Sequence, residues 1–473
     1  MLTPGAAQTL AEQLAGRYAQ RIRDRLLAPG SRLPSVRQCA TQQGVSASTV
    51  VAAYDRLLAQ GLVEARRNRG FYVREAVAPR RRSPAPAAAG GVAPELAPVD
   101  ATALIRAMFH NRAEGPQPGT GVFPPDWLET PFLATAVRRV TGPAALRSAS
   151  LQYGEPAGDA SLRRALADKL AGLNIQATPA QIITTVGASQ ALDIVSRTLL
   201  RPGDPVMVEE PGWAVEFARL AALGMRILPV PRGPEGPDLA VMARYCEVHR
   251  PRLFVSVSVL HNPTGYSLTP GSAHRILQLA AAHDFHIVED DTYSHLAPEQ
   301  AVRLCALDEL QRTIYVSGFA KILAPGWRVG YLAAPEALVM RLLDTKLIST
   351  LSTPPLLEQA LAWCIAQGQL RRHAERVRVR LDAARARSVR LAEAHGCRFV
   401  APPAGLFGWV DTGVDTEVLA QRLLDQGWLL APGALFHAGR QSSTLMRINY
   451  ATTQEAAFWK VFARARDALA ARG

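Results

Sequence analysis

The chain has 473 residues, 48% of them hydrophobic and 6% aromatic, enough for two or more folding units with buried cores. Its formal charge is +13 and the excess is uneven: residues 1–82 hold fourteen arginines, no lysine and five acids, which gives +9 of that total and points to a polyanionic partner for the N-terminal part. No run approaches the roughly twenty apolar residues of a bilayer span, no basic-then-apolar leader opens the chain, and the five scattered cysteines match neither a disulfide framework nor a metal centre, so no membrane, no metal and a cytoplasmic setting are expected.

Apolar residues recur every four positions at Leu10, Leu14, Tyr18, Ile22 and Leu26, which predicts a first helix that Ala28-Pro-Gly-Ser31 ends. Leu33 to Ala40 reads as a second short helix with Ser35 as its N-cap. Gly44 to Thr49 is a tight turn into a third, from about Ala47 to Gln60, with Val50, Ala53, Tyr54, Leu57 and Leu58 inward. Two short helices joined by a Gly-containing turn suit a helix-turn-helix, whose second helix offers its first residues to the major groove. Gly61 to Val73, strand-like at both ends around an arginine-rich turn, reads as a wing. Residues 76–105 then show the Ala/Pro/Gly bias of an extended linker.

Pro29-Gly-Ser-Arg-Leu-Pro-Ser-Val-Arg37, Gly44-Val-Ser-Ala-Ser-Thr-Val50, Ala53-Tyr-Asp-Arg-Leu57 and Gly61-Leu-Val63 resemble the winged-helix domain of the GntR regulator family. The resemblance implies double-stranded DNA as a partner. It places the contacts at Arg37 on the second helix, at Ser46, Ser48 and Thr49 opening the recognition helix, and at Arg66, Arg67, Arg69 and Gly70 in the wing. Hydroxyls and backbone amides suit phosphate oxygens, and arginines suit phosphate or guanine. Ala47 stands where the family commonly has arginine, and Val51 where some members have another, which thins the base readout expected of this helix.

Beyond residue 105 strands alternate with helices, the pattern of an α/β fold with a largely parallel sheet. Strands are predicted over Ile182 to Val186, Pro205 to Glu209, Arg226 to Val230, Leu253 to Val259, His286 to Glu289, Thr313 to Val316 and Val329 to Leu332. In such sheets ligands gather beyond the carboxyl ends of the strands. The residues found there suit pyridoxal 5'-phosphate, which needs a lysine for its aldehyde, a carboxylate for its ring nitrogen, and amides with a guanidinium for its phosphate. Lys321, one of four lysines, supplies the amine, with Ser317 just before it and Arg328 seven residues later for the phosphate. Gly187-Ala188-Ser189 opens a helix whose amides face an anion. Trp213 offers a stacking face, Asn262 and Tyr293 reach the phenolic oxygen, and Asp290 pairs with the ring nitrogen.

Taken in order, these residues resemble class I and II aminotransferases of fold type I, from about residue 120 to the C-terminus. That resemblance implies a mostly parallel large domain and a smaller C-terminal α+β domain. It makes Lys321 the Schiff-base lysine, Tyr153 a ligand to the phosphate of the neighbouring subunit in a homodimer, and Arg447 the clamp for an effector or substrate carboxylate. Two departures stand out. Ser317-Gly-Phe-Ala-Lys321 replaces a more usual Ser-Phe-Ser-Lys, and Trp213 replaces a tyrosine.

A winged helix over 1–75, a linker over 76–105 and an aminotransferase-like domain over 106–473, with its small subdomain from about 340, resemble the MocR subfamily of GntR regulators. The expected function is a pyridoxal-phosphate-dependent transcriptional regulator that senses an amino compound, or the cofactor itself, through Lys321. Two alternatives stand beside it: a working aminotransferase of aromatic or 2-aminoadipate type with an accessory DNA-binding domain, and a DNA-binding protein with an empty aminotransferase fold.

Overall fold

The computed structural model describes residues 8–23, 27, 30–66, 69–74, 117–439 and 441–471. The linker, Arg67 and the last residues of the first expected helix lie outside them. The chain divides into two compact units: Met1–Gly115 with Glu417–Leu429, and Pro116–Thr416 with Leu430–Gly473.

In the first unit, α1 (Leu10–Arg23), α2 (Val36–Gln43) and α3 (Ala47–Ala59) precede the antiparallel pair β1 (Val63–Arg66) and β2 (Gly70–Val73). The four-residue stripe of α1 places Leu14 and Tyr18 against Val50, Ala53, Tyr54 and Leu57 of α3, all fully buried or nearly so, while Leu58 is only partly buried. Ser35 forms a capping box with Gln38, and Gly44 ends α2 in the left-handed region at φ 64°, a conformation that favours glycine. Ser46 then caps α3 by accepting from the Thr49 amide. The later segment Glu417–Leu429 also belongs to this unit, through Arg21 Nη1 donating to Asp425 Oδ1 at 2.6 Å and Nη2 to the Leu424 carbonyl at 2.7 Å.

The second unit is built on a seven-stranded sheet of order β3-β9-β8-β7-β6-β4-β5. Its strands are β3 (Ile182–Thr185), β4 (Pro205–Glu210), β5 (Arg226–Pro231), β6 (Leu253–Ser256), β7 (His286–Asp290), β8 (Thr313–Gly318) and β9 (Gly330–Ala333). Pairing is parallel from β5 through β8, and β9 runs antiparallel between β8 and β3. The expectation of a largely parallel sheet holds, with β9 as the reversed strand. Two apolar clusters account for the unbroken hydrophobic runs of these strands: one gathers Ile183, Val208, Val255, Val288 and Ile314 with the helix Ala188–Leu199, the other Met207, Phe254 and Ile287 with the helix Pro270–His283. A four-stranded antiparallel sheet follows, of order β10-β11-β13-β12, from β10 (Arg398–Phe399), β11 (Phe407–Asp411), β12 (Ala431–Pro432) and β13 (Leu445–Asn449). Among the described residues no helix is long and apolar enough to cross a membrane.

Candidate functional site

The turn after β3 brings two anion-binding groups together. Gly187 has φ 79°, and a Cβ there would lie 2.5 Å from Arg328 Nη2, so the guanidinium rests on a residue that must lack a side chain. Arg328 donates to the Val186 carbonyl at 3.2 Å, while Ala188 opens the helix Ala188–Leu199 with half-buried Ala188 and exposed Ser189 in its first turn. A phosphate placed there would meet helix amides and a guanidinium at once.

The turn after β4 is just as constrained. A Cβ on Gly212 would stand 2.2 Å from the Glu209 carbonyl, and the next residue, Trp213, precedes the helix Ala214–Ala222. Trp213 lines a cleft open to solvent together with Glu216, Val257, His261 and Asp290. Glu209 underlies it as a buried anchor, accepting from Arg232 at 2.7 Å, Ser256 at 3.1 Å and the Val257 amide at 2.9 Å.

Asp290 ends β7 and accepts from the Thr292 amide at 3.0 Å and from the Thr292 hydroxyl. Burial pushes its carboxyl up to about 6, against the lowering effect of those two bonds. Tyr293 is buried edge-on to Phe407 at 5.5 Å, and burial raises its phenol above the usual range.

Lys321 follows β8, half-buried, and its Nζ donates to the Gly121 carbonyl at 2.8 Å. Burial, with Arg447 and Arg328 nearby, lowers the amine to about 8, so a larger share of it is neutral and nucleophilic close to physiological pH than for an ordinary lysine, though most remains protonated. Ser317 is wholly buried and spends its hydroxyl on the Asp291 carbonyl at 2.9 Å. Arg447 rises from β13 into the same cluster: Nη1 donates to Asn262 Oδ1 at 3.0 Å, Nη2 to the Gly119 carbonyl at 2.7 Å, and the guanidinium lies 4.3 Å from the Phe407 ring centre. Burial brings it down to about 10.

Thus Arg447 bonds Asn262 directly, Lys321 and Arg447 each bond a carbonyl of the same short segment at Gly121 and Gly119, and Asp290 and Trp213 line one cleft. Tyr153 stands apart, 83% exposed on the chain surface. The segment around Gly119 and Gly121, which contributes two carbonyls, was not expected from the sequence.

In the N-terminal unit Arg37 is exposed on α2, and Ser48 and Thr49 sit in the first turn of α3 with both hydroxyls 2.8 Å from that of Ser46. Arg66 pairs with Glu64 at 2.8 Å and lies over Tyr72, and Arg69 is exposed beside Gly70, whose φ is 98°. Arg32 was not anticipated: its Nε would be 3.3 Å from a Cβ at Gly70, so a further arginine joins the wing through a long-range approach that no local motif signals.

The description "Aminotransferase class I and II" matches residues 121–462. The chain belongs to this family. Residues 10–73 match "Bacterial regulatory proteins, gntR family", so a GntR helix-turn-helix is fused to an aminotransferase domain, the MocR architecture. The uncharacterized HTH-type transcriptional regulator YisV of Bacillus subtilis is 28% identical over 460 residues, 92% of this chain and 91% of its own. The 2-aminoadipate transaminase of Thermus thermophilus is 34% identical over 351 residues, 72% of this chain and 84% of its own. The crystal structure of LysN, the α-aminoadipate aminotransferase of Thermus thermophilus complexed with N-(5'-phosphopyridoxyl)-L-leucine, superposes with a TM-score of 0.71 at 26% identity, over 78% of this chain and 96% of that one.

Pyridoxal phosphate is the cofactor of this family, and the residues here fit it. Gly187 leaves the cradle that a side chain would fill, Arg328 lies against it, and the cleft wall carries a flat indole and a carboxylate. DNA is the partner that the helix-turn-helix implies.

Proposed function

We propose that this regulator uses pyridoxal phosphate to sense an amino compound and alters its hold on an operator accordingly. The observation that carries the reading is the presence, in one chain, of a GntR helix-turn-helix and of a lysine, a carboxylate and an arginine fork arranged for an amino-acid-like ligand. When bound, the cofactor supplies an aldehyde carbon on which primary amines condense.

The chain's own groups would divide the work as follows. Lys321 holds the aldehyde, and Asp290, ionised above about pH 6, keeps the ring nitrogen protonated. Gly187, Ala188, Ser189 and Arg328 hold the phosphate, with Ser317 behind the lysine turn. Trp213 covers one ring face, while Asn262 and Tyr293 steady the phenolic oxygen. Arg447 takes a ligand carboxylate. Tyr153, exposed in the single chain, would complete the phosphate site of a partner subunit in a homodimer. Arg37, Ser46, Ser48, Thr49, Arg66, Arg67, Arg69 and Gly70 would meet DNA, with the charge excess of residues 1–82 facing phosphate.

Absorption spectroscopy tests the reading. Pyridoxal phosphate added to the purified chain is expected to give the visible band of a lysine-bound cofactor, and Lys321→Ala is expected to abolish it. A band unchanged in Lys321→Ala would contradict the assignment. Multiple turnover of an amino donor with a keto acid would instead favour a working aminotransferase.

A further inference from the structure

The helix Gln369–Ala394 is 26 residues long and holds eight of the chain's 53 basic residues, all arginine, against three acids, Glu375, Asp382 and Glu393. Leu370, Ala374, Val377, Leu381, Ala384 and Ala392 form its buried face, which anchors it in the second unit and leaves the remaining sides to solvent. The charges on those sides are sorted. Glu375 and Asp382 pair with Arg378 and Arg385, each acid taking the arginine three residues on. Arg372, Arg376, Arg387 and Arg390 follow one another at four, eleven and three residues, close to whole turns of 3.6, so they fall in a separate line about 27 Å long at 1.5 Å per residue.

All four of these arginines are exposed, and the short side chains of Val379, Ala383 and Ala386 stand between them. Among the described residues none of the four pairs with a carboxylate, and Arg372 alone donates to a neighbour, from Nη2 to the Gln367 carbonyl at 2.8 Å. A row of unpaired guanidiniums repels itself and draws anions to its length. Its planar forks suit phosphate oxygens better than ammonium groups would. A duplex carries one charge per 3.4 Å on each strand, so the row matches roughly eight base pairs of backbone.

We infer that Arg372, Arg376, Arg387 and Arg390 form a second, sequence-independent contact for double-stranded DNA, made with phosphates that flank the operator, an inference that rests on reading the chain as a DNA-binding regulator. Charge complementarity decides the partner. The helix-turn-helix already implies a duplex, and residues 1–82 carry the same excess of arginine without lysine. A lipid surface fits less well, because the apolar face that an interfacial helix inserts is here buried in the fold. Contacts to phosphate add affinity and fix orientation without reading bases, so the row would lengthen the DNA that the protein covers and leave its sequence preference to the helix-turn-helix.

Fluorescence anisotropy on the full chain tests this with two probes: a minimal operator duplex from the promoter next to its own gene, and the same duplex lengthened by unrelated sequence on both sides. Each phosphate neutralised contributes about 0.9 to the slope of log affinity against log salt, so four arginines give the long duplex an advantage expected to fall on the order of a hundredfold between about 50 and 200 mM salt. The combined variant Arg372→Gln, Arg376→Gln, Arg387→Gln and Arg390→Gln is expected to bind the short duplex as the unaltered chain does and to lose that advantage. Arg376→Gln with Arg387→Gln, which breaks no contact within the described residues, is expected to remove about half of the added slope. An unchanged thermal transition shows that each variant is folded. Equal binding of both duplexes by the unaltered chain, an equal loss on both in the variants, or a long-duplex advantage that survives the four substitutions overturns the second contact and leaves the regulator reading standing. Absence of salt-sensitive binding to either duplex by the unaltered chain overturns both.

Discussion

Lys321 and Asp290 have ionisation states shifted in directions that would serve the proposed cofactor chemistry. Burial lowers the lysine to about 8 and raises the aspartate to about 6, so between these values the carboxylate is charged while part of the amine is free. Because the amine is nucleophilic only when neutral, the rate at which added pyridoxal phosphate becomes lysine-bound should rise with pH through about 8 and level off above it. Stopped-flow absorbance from pH 6.5 to 9.5 measures this; a midpoint near the ordinary lysine value would contradict the lowered amine. Their positions at strand ends were legible in the sequence from the apolar runs before them, and their side chains are ones that only a few chemistries require. Gly119 and Gly121 were not legible, because they act through carbonyls, which every residue possesses. Arg32 escaped notice for a related reason: its approach to Gly70 depends on chain folding between positions 38 apart.

Among the elements, those with local signals followed the sequence closely. Ser35 was legible as a cap because a hydroxyl precedes the helical run, and the structure adds Gln38 as the reciprocal partner. Ser35→Ala should therefore cost about 1 kcal/mol, read as an earlier thermal transition of the DNA-binding unit, with the cofactor band unaffected. No change in that transition would remove the capping box from the account. Strand positions were legible from apolar runs, but direction was not: Gly330–Ala333 has the same hydrophobic character as its neighbours, and only its insertion between β3 and β8 makes it antiparallel. The placement of Glu417–Leu429 with the N-terminal residues was equally hidden, since the Arg21–Asp425 pair joins positions 404 apart.

Across the whole molecule, the arginine-rich first 82 residues and the proposed cofactor site belong to different parts of one covalent chain. The central claim is that ligand chemistry at that site changes DNA binding through Lys321. The direct measurement is fluorescence anisotropy of the promoter DNA next to the protein's own gene, at fixed salt, titrated with the chain without cofactor, with pyridoxal phosphate, and with pyridoxal phosphate plus each of a panel of amino acids. The account predicts an affinity change of roughly fivefold or more, the span of a 1 kcal/mol coupling, with the cofactor or at least one amino acid, and none in Lys321→Ala. Identical affinity under all conditions in the unmodified chain would contradict it.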